Sequence, residues 1–351
     1  MKLMRMKLNP IKQAGFGLVE LMIAVTLGIL LSTAVVQVFL ATSTSSKMLD
    51  SMAQIQENAR FAMRFLSREI RMAGYMGCSS IGAAGFNNIA LPASTAIFTP
   101  GTALVGVDNV TGGDAMSAVV GTDRLTIKRA SDQFITLTGN LAPNNANIQV
   151  EDNSIGFVKE DFVMVTDCLN GDMFRITNTP KKKGEGQTTL AHANGSNSDN
   201  RLSKIYTGEA EVFGFQVIDF FIADTGRKSS AGNPINALYF QQLTLTSGGV
   251  ATAPTELVEG VENLQLSYGV DTNADRAVDV YQTGAEVADW ATVLSVRIEL
   301  IMYGSEDNVV GKTGSVNAQL LNDADGDLIA NNDGRLRQVF TNVFTIRNRL
   351  Q

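Results

Sequence analysis

The sequence predicts an α+β protein. It would have one long N-terminal helix, transmembrane in its first half and amphipathic in its second, packed on an antiparallel β-sheet head. Three observations carry that prediction. A nearly uncharged run fills residues 16–41, and an apolar stripe at helical spacing follows over residues 48–73. Short alternating segments, separated by Gly, Asn, Asp and Ser clusters, fill most of the rest. Only 18% of the 351 residues are charged and 44% are hydrophobic, which excludes wholesale disorder. The net charge of -7 excludes a global basic field for nucleic acid. Two cysteines exclude a disulfide-dense scaffold, and a single histidine, His192, leaves little room for multi-His metal sites or His-based catalysis.

The N-terminal element comes first. Residues 1–15 read MKLMRMKLNPIKQAG, and their charges, Lys2, Arg5, Lys7 and Lys12, are all positive. In the run at 16–41, FGLVELMIAVTLGILLSTAVVQVFLA, Glu20 is the only charge. As a helix at about 1.5 Å per residue this run spans roughly 39 Å, enough to cross a bilayer core with tilt. The basic flank should stay in the cytoplasm while the C-terminal bulk is translocated. An ordinary signal peptide would have a shorter apolar region and a small-residue cleavage site behind it. A plain signal anchor fits the length and leaves Glu20 unexplained. A lone charge at mid-membrane costs on the order of 3 kcal/mol, so it marks function by default.

Residues Gly15-Phe16-Gly17-Leu18-Val19-Glu20 resemble the class III signal of type IV pilins and pseudopilins. The resemblance implies cleavage after Gly15 by prepilin peptidase, N-methylation of Phe16, and retention of the apolar run as membrane anchor and filament core. It divides the chain into a leader at 1–15, a helix at 16–77 and a periplasmic head at 78–351. The helix is transmembrane over 16–41 and an amphipathic stem over 42–77. Physical chemistry agrees with such a role for Glu20. Cleavage at Gly15 creates a cationic amine where the helix dipole is also positive, and an apolar medium makes that charge costly unless it is paired. In the family the Glu is held to pair with the amine of a neighbouring subunit, which would set the register of helix stacking. One departure is that Gln37 stands where many major pilins carry Pro, so the helix should be harder to kink there.

The stem repeats Met48, Met52, Ile55, Ala59, Ala62, Leu66, Ile70 and Ala73 at spacings of three and four, one helical face for packing on the head. Gly74 and Gly77 are stop signals. Arg60, Arg64, Arg68 and Arg71 form another ridge, read as a solvated face with local pairs to Glu57 and Glu69, or else as a dock for an acidic neighbour. Loss of the four basic leader residues would take the net charge from -7 to -11.

Strands are expected at 124–129, 162–166, 212–222, 237–243, 264–268, 293–303 and 338–347. Residues 79–121 and 178–202 read as long surface loops, with His192 a solvated loop residue. RFLSREIRMAGYMGC at 64–78, GTDRLTIKRA at 121–130, VTDC at 165–168, LVEGVENLQLSYGVD at 257–271, DWATVLSVRIEL at 289–300 and RLRQVFTNVFTIRNR at 335–349 resemble PilW-type minor pilins. That resemblance implies a low-abundance subunit that primes type IV pilus assembly. It would act with other minor pilins, the major pilin and a large PilY-type tip protein, in motility, adhesion or DNA uptake. J-type pseudopilins of type II secretion share similar phrases and are the alternative. An anchored periplasmic enzyme is a third reading, opposed by the lack of a nucleophile–base motif. No enzymatic activity and no small-molecule substrate is expected. The periplasm is oxidising, so Cys78 and Cys168 are expected to bridge, with two free buried thiols the alternative. A loop of that length would gain on the order of 4 kcal/mol from closure.

Other motifs fail or are weak. Gly311-Lys312-Thr313 ends like a phosphate loop, but Glu306 stands where the first Gly belongs. Lys181, Lys182 and Lys183 read as a solvated basic run. Asp271, Asn273, Asp275 and Asp279 match positions 1, 3, 5 and 9 of a calcium loop, but Arg276 and Gln282 occupy positions that need Gly and Glu. A full EF-hand is therefore excluded. A looser calcium loop stands against Asx-rich turns. Asp323, Asp325 and Asp327 around Gly326 are a similar, weaker case. Apart from calcium at these loops, no cofactor is expected.

Overall fold

The computed structural model describes residues 15, 17–79, 86–93, 97–113, 116–138, 146–242, 245–246, 249–250, 253–315, 318–323 and 326–349. The chain forms two compact units, Met1–Asp50 and Ser51–Gln351. A single helix, α1, runs Leu18–Met72 through both. It starts two residues later and stops five earlier than the predicted 16–77. Nothing breaks it at Gln37, as the missing Pro requires.

In the second unit α1 buries one face, with Ile55, Ala59, Ala62, Leu66 and Ile70 all inside the core. These belong to the predicted stripe. Met52 is partly buried against the same core and Met48 is exposed. The helix ends where glycines allow left-handed backbone: Gly74 has φ 73° and Gly77 has φ 69°. The Gly74 N–H donates to the Lys128 carbonyl at 2.9 Å, so the chain leaves the helix directly onto a strand. At Gly77 a Cβ would lie 2.6 Å from the Phe213 ring.

The strands of the first half of the head are β1 (Phe86–Asn88), β2 (Leu104–Val107), β3 (Arg124–Thr136), β4 (Asn147–Val150), β5 (Phe162–Thr166), β6 (Gly171–Arg175), β7 (Thr188–Ala191) and β8 (Glu211–Lys228). There follow β9 (Pro234–Gln242), β10 (Leu245–Thr246), β11 (Gly249–Val250), β12 (Thr255–Glu259), β13 (Val261–Val270), β14 (Val280–Gln282), β15 (Val293–Tyr303) and β16 (Arg337–Thr345). All seven expected strands form, and β15 has the expected bounds. The segments read as long loops carry β1, β2 and β7, which are too short to show a sequence period.

Among the described residues the larger sheet is built around β8. Its first part pairs β5 on one side and β3 on the other; its second part pairs β9. The order β1-β6-β5-β8-β3-β2 is completed by β9 and β12. A four-stranded sheet has the order β14-β13-β15-β16. These pairings are antiparallel except for β1 against β6, which is parallel. Period-2 alternation along β8 serves two cores. Ile218, Phe220 and Ile222 join the α1 stripe together with Leu264, Leu266, Ile298 and Leu300 of the smaller sheet. Phe213, Phe215 and Val217 face the other way, onto Met76, Phe98 and Met164. A third cluster gathers around Phe174, Leu190 and Tyr206.

Candidate assembly interface

Over residues 18–41, within the first unit, the helix is apolar nearly all round and uncovered. Leu18, Leu21, Ile23, Leu27, Leu30 and Phe39 are each more than half exposed within the chain. An all-apolar helix surface belongs in lipid or against other helices. Threonine hydroxyls in this stretch bond to the helix's own carbonyls. The Thr26 hydroxyl donates to the Met22 carbonyl at 2.9 Å and Thr33 to Ile29 at 2.8 Å. Gly15 is exposed, and Phe16 lies outside the described residues. Glu20 sits in the first turn, where its carboxylate accepts the Gly17 N–H at 3.0 Å. It thereby covers an otherwise unpaired amide at the positive end of the helix dipole. Small residues open a shallow groove along one side, lined by Gly28, Ser32 and Thr33 with Val25, Ile29 and Val36.

The second unit holds its part of α1 by polar as well as apolar means. Glu69 is 3% exposed within the buried stripe. Its carboxylate meets Arg129 Nε of β3 at 2.8 Å, and Arg129 also donates to Asp132 at 2.7 Å. Glu69 therefore does not pair with the arginine ridge, as the spacing implied. A helical spacing shows neighbours on one helix and is blind to a strand that packs across it. Arg60, Arg64, Arg68 and Arg71 are all exposed, and Arg68 pairs with Asp132.

Cys78 and Cys168 form a disulfide with Cα atoms 4.9 Å apart. It ties the residues just after α1 to the β5–β6 turn. Both cysteines are exposed, so the alternative of buried free thiols is excluded.

The four residues matched to a calcium loop do meet, in the β13–β14 turn. Their oxygens face backbone donors. Asp271 accepts the amides of Asn273, Ala274 and Arg276 at 3.2, 2.7 and 2.8 Å. These donors outweigh burial and hold its carboxyl below the usual range. Asp279 accepts from the Thr272 amide and hydroxyl, and Asp275 from the Ala277 amide. Asn273 Nδ2 bridges Asp275 and Asp279. Among the described residues no group of three or more Asp, Glu, His or Cys is placed to hold a metal ion. At the second acidic loop Asp323 accepts the Asp327 amide at 2.8 Å across Gly326, and Asp325 lies outside the described residues.

His192 is the clearest correction. It is fully buried against Phe174, with ring centroids 4.8 Å apart. Burial pushes its pKa down to about 4, against the opposing charge of Asp172. The Gly- and Asn-rich context concealed this because the neighbouring strand β7 is only four residues long. Sequence reasoning also missed Asp172. This buried side chain accepts from Asn87, the Ser203 amide and hydroxyl, and Tyr206. A third missed group, Asp123, accepts the amides of Asn109 and Leu266 at 2.8 and 2.7 Å, joining the two sheets. Burial, with Asp108 nearby, raises its pKa to about 6 despite those donors.

Together these features define an α+β protein whose N-terminal helix is long and apolar enough for single-pass membrane anchoring. Residues 220–348 match the family model of type IV pilus-assembly protein W, and the match supports a PilW-type type IV pilus protein with a role in pilus assembly. The matched segment runs from the middle of β8 to three residues past the end of β16. It contains the PilW-like phrases at 257–271 and 289–300 and nearly all of the one at 335–349. No curated protein matches the chain.

Proposed function

We propose that this protein is a minor pilin, which primes type IV pilus assembly and joins the tip complex with other minor pilins and a PilY-type protein. One observation carries the reading. A single carboxylate, Glu20, sits in the first turn of an uncovered apolar helix, directly after Gly15-Phe16, in a chain whose C-terminal part matches a pilus-assembly family. In this reading prepilin peptidase cuts between Gly15 and Phe16, and Phe16 is N-methylated. The new amine of one subunit then pairs with Glu20 of another. The Gly17 amide that Glu20 accepts here is a weaker partner, easily exchanged for a cation. The 18–41 segment anchors the precursor in the inner membrane, with the head on the periplasmic side. The role is non-enzymatic: helices and head loops select partners.

Intact-mass measurement of the protein from a piliated strain tests the processing. The expected chain begins at methylated Phe16. A retained leader, or a cut beyond residue 41, would overturn the proposal. Deletion of the gene is expected to abolish surface pili. Loss of protein secretion with pili intact would assign the chain to the J-type pseudopilins instead.

A further inference from the structure

The four-stranded sheet ends in a bare edge. In the order β14-β13-β15-β16 no strand lies on the outer side of β16 among the described residues. The ladder register shows which groups face that side. The Ile346 amide bonds inward to Leu294, and pairing continues from Thr345–Ser295 to Arg337–Tyr303. In an antiparallel ladder inward and outward bonding alternate residue by residue. Residues 338, 340, 342 and 344 therefore bond to β15, and Val339, Thr341, Val343 and Thr345 point their amides and carbonyls outward.

Proteins usually blunt such edges with charge, Pro, bulges or a covering segment. Here Gln338–Thr345 reads QVFTNVFT, with no charged residue, Pro or Gly. Thr341, Asn342 and Val343 are exposed, Val343 by 43%. The first outward position is closed: the Gln319 side chain donates to the Arg337 carbonyl and accepts its amide, as a strand would. Asn342 Oδ1 lies on the Val343 amide at 2.9 Å, a local contact that one rotamer change would release.

The uncovered stretch is self-complementary. VFT-N-VFT places the same triplet on both sides of Asn342. We propose that β16 is a docking edge for a second copy of this chain, pairing antiparallel with Asn342 opposite Asn342. Val339 then faces Thr345 of the second copy and Thr341 faces Val343, all through outward-pointing groups. Phe340 and Phe344 pack on the inner face of the sheet. Each would meet its counterpart across the junction, an aromatic cross-strand pair on either side of the axis. The paired stretch spans 339–345 and stops short of Arg337, so the Gln319 cover stays in place. The pairing uses no residue of the 18–41 segment and stands whether or not Glu20 has its proposed role.

The register makes a sharp test. Asn342 opposite itself is a non-hydrogen-bonded pair, with Cα atoms about 4.5 Å apart, close enough for a disulfide. The full-length chain in detergent, with Cys78 and Cys168 already bridged, receives Asn342→Cys or Thr341→Cys and mild copper–phenanthroline oxidation. Asn342→Cys is expected to give at least about fivefold more disulfide-linked dimer on a non-reducing gel, since Thr341 does not face itself. Adding Val343→Pro removes an outward amide only, which an edge tolerates, and should lower the dimer to the Thr341→Cys level with the melting temperature retained. Equal yields from the two cysteines, no dimer from either, or a dimer that ignores Val343→Pro would each overturn the proposal.

Discussion

One helix obeys two rules. Before residue 51 its apolar side chains are uncovered within the chain; after residue 51 the apolar stripe is almost wholly buried. Composition alone does not separate the two stretches, since both are rich in apolar residues. The pattern does. Over 18–41 apolar residues on nearly every side leave no face for water, so that segment needs a medium other than water. A stripe of Ile55, Ala59, Ala62, Leu66 and Ile70 leaves the opposite face to Arg60, Arg64, Arg68 and Arg71 and asks only for a sheet to lie on. The first stretch is built for neighbours that the chain does not contain, and the second for neighbours it supplies.

The comparison breaks first at Glu69. Glu69→Ala leaves buried Arg129 with the more exposed Asp132 as its remaining carboxylate, and unfolding by urea should show a loss of up to about 3–5 kcal/mol. Changing both residues to Met is expected to restore most of it. Leu66→Ala should cost about 2–5 kcal/mol through lost burial and the cavity left behind. The matched change Leu30→Ala is expected to leave the head's unfolding midpoint unmoved, and an equal loss would erase the distinction between the two stretches.

Titration sharpens the contrast, because interior groups of the head feel pH. His192 is held neutral by burial, near 4 against an ordinary 6.5. The unfolded chain therefore binds the extra proton, and stability rises with pH between about 4 and 6.5, by on the order of 3 kcal/mol. Asp123 does the reverse. With its pKa raised to about 6 from 3.8, the folded state holds the proton longer, and stability falls as pH climbs through that window. The two slopes offset each other in the intact protein. Asp123→Asn should expose the rising His192 slope in melting temperature against pH, and a flat profile would contradict it. Smallest of all, Glu20→Ala should leave the melting of the head unchanged while abolishing assembly if the proposed pairing holds.

Much of this architecture was legible in the residues. The helix, its inner face, both terminating glycines and the alternation of β15 follow from local periodicity, which a single chain displays openly. The paired cysteines were legible too, given an oxidising compartment. What escaped has one physical character: it depends on residues far apart in sequence. Glu69 looked like a ridge partner because Arg129 is 60 positions away. His192 looked solvated because the wall that buries it, Phe174, belongs to another strand. Asp123 and Asp172 carry no motif, since their donors are backbone amides, hydroxyls and the Asn87 side-chain amide, scattered along the chain. The acidic turn at Asp271 left a looser calcium loop open against Asx-rich turns, because spacing could not tell whether its oxygens would face an ion or the backbone's own amides.

The bridge between Cys78 and Cys168 has a mechanical consequence. The two residues are 90 positions apart, and the link closes just after the helix ends. When tension enters through the helix and leaves through the C-terminal strands, it crosses this covalent shortcut. The intervening stretch is removed from the load path, roughly 300 Å of extensible contour at about 3.5 Å per residue. A subunit hauled by its anchor would then stretch only from residue 168 onward, and β1 to β5 would ride along unloaded.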